Sequence, residues 1–84
     1  MAQFAKVQKM AERLKKAGFK VDGFKANGEE EDGVVLLPKR IEVVVSDDYP
    51  TAVRQLKRDG RLRYHQEANS FEALMTYLND IEAK

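Results

Sequence analysis

The stretch GVVLLPKRIEVVVS, residues 33–46, holds the densest run of β-branched and large aliphatic residues in the chain. It is broken only by Pro38-Lys39-Arg40, so it reads as two strands of a hairpin joined by a tight turn. In the second strand Ile41, Val43 and Val45 fall on one face, with Glu42 and Val44 on the other. In the first, Val34 and Leu36 oppose Val35 and Leu37, which leaves both faces apolar. A strand greasy on both sides is either covered twice or keeps one face for something outside the chain.

Outward from the hairpin, the N-terminal side begins with a helix. From Gln3 to Ala17 the residues Phe4, Val7, Met10, Ala11, Leu14 and Ala17 recur at spacings of three and four, the pattern of one buried helical face. Gly18 then ends the helix in a left-handed C′ position, with Phe19 folding back on the last turn. On the opposite face Lys6, Lys9, Arg13 and Lys16 form a second stripe, continued by Lys20. A solvated face is the ordinary reading of such a stripe. The sharper one is a cationic rail roughly 20 Å long, from about 1.5 Å of rise per residue, suited to phosphates.

Phe19 to Ala26 reads as one short strand with a bulge at Asp22-Gly23, in preference to a tight hairpin at the same dipeptide. Asn27 to Gly33 is a polar loop carrying Glu29, Glu30, Glu31 and Asp32. These adjacent acids lack the alternating spacing of a calcium loop, so they read as a solvated, mobile loop and no metal site, with an acidic hook for a basic partner as the sharper alternative.

C-terminal to the hairpin, Ser46-Asp47-Asp48-Tyr49-Pro50 resembles a helix start, with proline in the first turn. The expected helix runs to about Arg58, turning Tyr49, Val53 and Leu56 inward, and Asp59-Gly60 closes it. Arg61 to Gln66 alternates as a strand, with Leu62 and Tyr64 on one face and Arg61, Arg63 and His65 on the other. A helix between Ile41–Val45 and this strand makes the two parallel, joined by a right-handed crossover. Asn69 or Ser70 then caps a last helix whose apolar side is Phe71, Leu74, Met75, Leu78 and Ile81.

The expected fold is therefore a single α+β domain over residues 1–84, a two-layer sandwich in the order α-β-β-β-α-β-α. It has a mixed sheet and amphipathic helices at both ends. With 84 residues and no cysteine, disulfides, thiolate metal sites and cysteine nucleophiles are excluded, and a reducing, cytoplasmic location is expected. No signal peptide or membrane span is legible.

The formal net charge is +1, yet charge is sorted into blocks. Residues 1–28 carry seven cations against two acids, 29–48 two against seven, 49–65 five against one, and 66–84 one against four. No phosphate-cradling glycine loop, activated nucleophile or metal-ligand cluster stands out, and the lone His65 lacks a partner in sequence. The chain thus reads as a non-catalytic module without cofactor or metal.

Two binding functions follow. In the first, a small regulator or inhibitor docks on another protein, or on a second copy of itself, through Val35, Leu37 and Val44 with the acids 29–32. In the second, Lys6, Lys9, Arg13, Lys16, Lys20, Arg54, Lys57, Arg58, Arg61 and Arg63 contact nucleic acid. The near-neutral total charge ranks protein binding first.

Overall fold

The computed structural model describes residues 2–26, 33–45 and 51–81. Helix α1 (Ala2–Lys16) is followed by five strands, β1 (Gly23–Ala26), β2 (Gly33–Leu37), β3 (Ile41–Val45), β4 (Thr51–Leu56) and β5 (Leu62–Ala68), and by helix α2 (Phe71–Asp80). The strands form one sheet in their order along the chain, with every neighbouring pair antiparallel. Both helices lie on one face, α1 over β1 to β3 and α2 over β4 and β5. The α+β class and the amphipathic helix at each end of the chain match the reading of the sequence; the mixed sheet does not.

The difference lies in residues 46–58. Thr51–Leu56 is a strand, and residues 46–50, the expected helix cap among them, lie outside those described. The spacing of Val53 and Leu56 suits a helix, but Thr51, Val53 and Gln55 alternate with Ala52, Arg54 and Leu56 just as well. Pairing decides between them. As a strand the segment satisfies the free backbone edge of β3 along Ile41↔Gln55, Glu42↔Arg54, Val43↔Val53 and Val44↔Ala52 and places Val53, fully buried, in the core. The Asp59-Gly60 signal then closes a hairpin and no helix. Lys57 N–H donates to the Arg61 carbonyl at 2.7 Å and Gly60 N–H to the Lys57 carbonyl at 2.9 Å. The Asp59 carboxylate accepts from Arg61 N–H at 3.0 Å, and Gly60 takes φ 91°, a left-handed conformation that glycine adopts without steric cost. Antiparallel neighbours need only this short turn, so the crossover disappears.

α1 ends as its sequence predicts. Gly18 has φ 99°, Gly18 N–H donates to the Lys15 carbonyl and Phe19 N–H to the Leu14 carbonyl, each at 3.0 Å. This is a Schellman ending, and Phe19 and Leu14 are both buried beside it. The expected bulged strand from Phe19 is shorter than read: β1 begins at Gly23, and only Asp22, whose N–H donates to the Leu36 carbonyl at 2.8 Å, extends its pairing. Of the two caps considered for α2, Ser70 is the one used, its Oγ accepting from Ala73 N–H at 3.1 Å.

The core fills the space between the layers. Val7, Met10, Ala11 and Leu14 of α1 and Leu74 and Leu78 of α2 meet Val35, Leu37, Ile41, Val43, Val45, Val53 and Ala68 of the sheet. This overturns the expected docking patch. Val35 is 0% and Leu37 4% exposed, sealed by the chain's own helices, and Val44 does not share their face. It pairs with Val34 on the open side of the sheet. The open side also carries the Glu42–Arg54 ion pair, at 2.7 Å.

One local cost is visible. Ile41 N–H donates to the Pro38 carbonyl at 3.3 Å, closing a turn whose two central residues, Lys39 (φ 65°) and Arg40 (φ 61°), are both left-handed. Turns of this handedness match the twist of a hairpin but favour Asn-Gly, and side chains with a Cβ lose on the order of 1 kcal/mol per residue there. Arg40→Gly is therefore expected to raise stability by about 1 kcal/mol in urea unfolding. Arg40→Gln, which removes the charge but keeps the Cβ, should give no comparable gain; equal gains would mean that charge repulsion, and not backbone strain, is being relieved.

Candidate functional site

In an up-and-down antiparallel sheet successive turns alternate between the two ends of the strands. The β2–β3 turn, residues 38–40, and the β4–β5 turn, residues 57–60, therefore lie at the same end. They are also adjacent, because β3 and β4 pair: Leu56 N–H donates to the Arg40 carbonyl at 3.0 Å, and the Gln55 side-chain amide donates to the Lys39 carbonyl at 3.1 Å. Two hairpin tips thus stand side by side, carrying Lys39, Arg40, Lys57, Arg58 and Arg61, all exposed, with Arg63 just inside β5.

Asp59 is the one acid within these two tips. Its pair with Arg61, at 3.5 Å between groups 57% and 81% exposed, is a surface contact that neutralises little and is screened by salt. The acids Glu29, Glu30, Glu31 and Asp32 lie outside the described residues. Ala26 and Gly33, which flank them and pair with each other, stand at the other end of the strands.

The remaining cations do not join this cluster. Arg54 is on the open face with its charge engaged by Glu42, Nε donating to Oε1 at 2.8 Å. Lys9, Arg13 and Lys16 are exposed and Lys6 half-buried along α1, while Lys20 is exposed in the α1–β1 connection. The Arg13 guanidinium lies 3.9 Å over the ring of Phe71, a cation–π contact that ties α1 to the first turn of α2. Arg13 and Lys16 line a hollow of about 440 Å³ with Ala17, Phe71 and Met75. The rail read on α1 is thus a separate surface in the helix layer. His65 pairs with Arg54 across the open face. The alternating face expected for Arg61, Arg63 and His65 is broken by a shift in register, in which Gln55 opposes Tyr64 but Leu56 opposes Leu62.

That shift has a second effect. With one extra residue on β5, Arg63 and Tyr64 both border a hollow of about 370 Å³, together with Lys39, Gln55, and Asp80 and Ile81 at the end of α2. Burial raises the Tyr64 hydroxyl above its ordinary pKa, and the negative charges of Asp80 and Tyr77 add to the effect. The phenol is neutral at physiological pH. No group of three or more His, Asp or Glu able to hold a metal occurs among the described residues. No helix there is long and apolar enough to cross a membrane.

Lys39, Arg40, Gln55, Tyr64 and Asp80 were not marked by the sequence as site residues. The first two become candidates only once residues 51–56 are a strand, which puts the Pro38-Lys39-Arg40 turn next to the Arg58-Asp59-Gly60 turn. Comparison with protein-family models, curated proteins and solved structures finds no match.

A raised tyrosine pKa favours the neutral phenol in the folded state. Its contribution to stability is complete below the ordinary tyrosine range near 10 and is lost as pH rises through the folded-state value. Urea midpoints measured from pH 8.5 to 11.5 should therefore fall more steeply for the native chain than for Tyr64→Phe. Parallel profiles would remove this interaction.

Proposed function

We propose that the protein is a non-catalytic binding module whose ligand is a nucleic-acid backbone, held at the end of the sheet where the two hairpin tips meet. The observation that carries this reading is the apposition of Lys39 and Arg40 with Lys57, Arg58, Arg61 and Arg63, fixed by the bonds from Leu56 and Gln55 to the Arg40 and Lys39 carbonyls. A net charge of +1 is no objection. At physiological ionic strength charges are screened over about 8 Å, so a phosphate at the tips responds to the charges nearest to it more than to the total. Two turns side by side also present cations from a rigid scaffold, which limits the entropy lost when they are fixed against phosphates.

The strained turn supports the same reading. Lys and Arg occupy positions that Asn and Gly would fill at lower backbone cost, and strain of this kind gathers at functional sites.

A second reading, a protein partner or a second copy on the open face of the sheet, draws on Leu62, 55% exposed, opposite half-buried Leu56, with half-buried Leu36 and Val44 elsewhere on the same face. It ranks lower because Val34 and Ala52 of that face are already buried and the Glu42–Arg54 pair divides what remains. Light scattering that showed a stable dimer, lost in Leu62→Glu, would reverse the order.

The direct test is titration of a labelled duplex at several salt concentrations. Four to five phosphate contacts predict a slope of log affinity against log salt of about −4, at roughly −0.9 per contact. Replacing Arg40, Arg58 and Arg61 together by Gln should reduce that slope by about 3 units on the same rule. Replacing Lys9 and Lys16 should leave it within one unit. No binding at low salt, or a slope insensitive to the hairpin cations, contradicts the proposal.

A further inference from the structure

The hollow beside the hairpin tips has a lining that a phosphate backbone alone does not explain. An inorganic anion would be drawn by Lys39 and Arg63 but would also meet the carboxylate of Asp80, and a simple cation would meet the opposite conflict. The lining instead offers three kinds of group at once: two cations, the aromatic ring of Tyr64, and a polar edge made of Asp80 and Gln55.

A nucleotide unit carries the three complements: a phosphate, a planar π-face and a base edge with hydrogen-bond donors and acceptors. The volume, about 370 Å³, is at the small end of the range for ligand pockets, roughly 300–1,000 Å³. It suits one nucleotide and not a double helix. From the mixed lining we infer that this hollow receives an unpaired base, so that the ligand held by the hairpin tips is single-stranded nucleic acid. The inference rests on the polyanion reading above and sharpens it.

The roles divide by chemistry. Arg63 and Lys39 border both the hollow and the cationic tips, so a strand can keep its phosphates on the tips while one base turns inward. The ring of Tyr64 supplies a stacking surface, which is how sequence-tolerant single-strand binding is commonly built. Its phenol stays neutral, for the reasons given for its pKa, and so adds a hydroxyl donor and acceptor without repelling phosphate. The carboxylate oxygens of Asp80 accept hydrogen bonds. Asp80 therefore favours a base edge with two adjacent N–H donors, as guanine presents, over one whose single donor lies between carbonyls.

The register shift in β5 is what makes this site. It places Arg63 and Tyr64 together at the hollow, where strict alternation would send them to opposite faces of the sheet.

The experiment compares labelled single strands with a duplex of equal length at one salt concentration. The single-strand probes are otherwise identical and carry guanine, thymine or an abasic residue at the central position. Single strand is expected to bind at least tenfold tighter than duplex, guanine tighter than thymine, and the abasic strand on the order of tenfold weaker than guanine, the loss of one base–aromatic stack. Tyr64→Leu should erase the difference between guanine and abasic strands while leaving duplex affinity and its salt slope unchanged. Asp80→Asn should narrow the guanine–thymine gap.

Equal binding of guanine and abasic strands by the native chain overturns the inference without recourse to any variant, while salt-dependent binding of both would leave the polyanion reading standing. Tyr64→Leu weakening duplex and single strand alike would likewise assign Tyr64 a purely structural part. Absence of binding to every probe would sink both readings together.

Discussion

The ladder between β3 and β4 is the constraint on which the rest of the molecule depends. Val43 opposite Val53 puts two fully buried side chains into the core, and the same register carries Leu56 to Arg40 and Gln55 to Lys39. Without this pairing β3 would be an edge with a row of unmet backbone groups, and β5 and α2 would have no sheet to extend or cover. With it, two turns that are 19 positions apart in sequence, counted from Lys39 to Arg58, become neighbours. Charge that the sequence distributes into separate blocks is thereby brought to one end.

The two layers divide the labour. Among the described residues the largest fully buried side chains, Leu14, Leu74, Leu78 and Ile41, lie between helices and sheet, so the main core is on one face of the sheet. The charged side chains of the β4–β5 tip contribute little to folding. The Asp59–Arg61 pair is exposed, and the Lys39–Arg40 turn costs backbone energy instead of supplying it. Arg58 and Arg61 lie outside the core cluster, so changing them removes no core contact. Tyr64 is the point where the two layers meet the site: it packs against the core cluster and also borders the hollow next to Asp80.

Much of this was legible in the residues alone. The period of α1, its glycine ending at Gly18, the hairpin 33–45, the presence of a strand at β5 and the apolar side of α2 all follow from local spacing, and local spacing is what a sequence displays; the expected pairing of Leu62 with Tyr64 on one buried face does not hold, since Leu62 is 55% exposed beyond the register shift. Thr51–Leu56 was not legible for the opposite reason. In a segment of six residues, Val53 and Leu56 satisfy a helical period and a strand period equally, and the arbiter is a hydrogen-bond ladder to residues about ten positions earlier. The error propagated. A helix there implies a parallel crossover, removes the second hairpin tip, and leaves Val35 and Leu37 without cover. The hollow was beyond reach for a further reason: it depends on a one-residue shift between β4 and β5 that no residue type announces.

The pairing of β3 with β4 can be observed directly in solution. Because Leu56 N–H bonds to the Arg40 carbonyl, pairs along this antiparallel ladder alternate so that Ile41–Gln55 and Val43–Val53 are the non-hydrogen-bonded ones, where backbones approach most closely. An isotope-edited NOESY spectrum is therefore expected to show strong contacts between the Hα protons of Val43 and Val53 and between those of Ile41 and Gln55. Sequential amide contacts and i to i+3 contacts through residues 50–58, with no cross-strand peaks, would show a helix in place of β4 and contradict the account at its base.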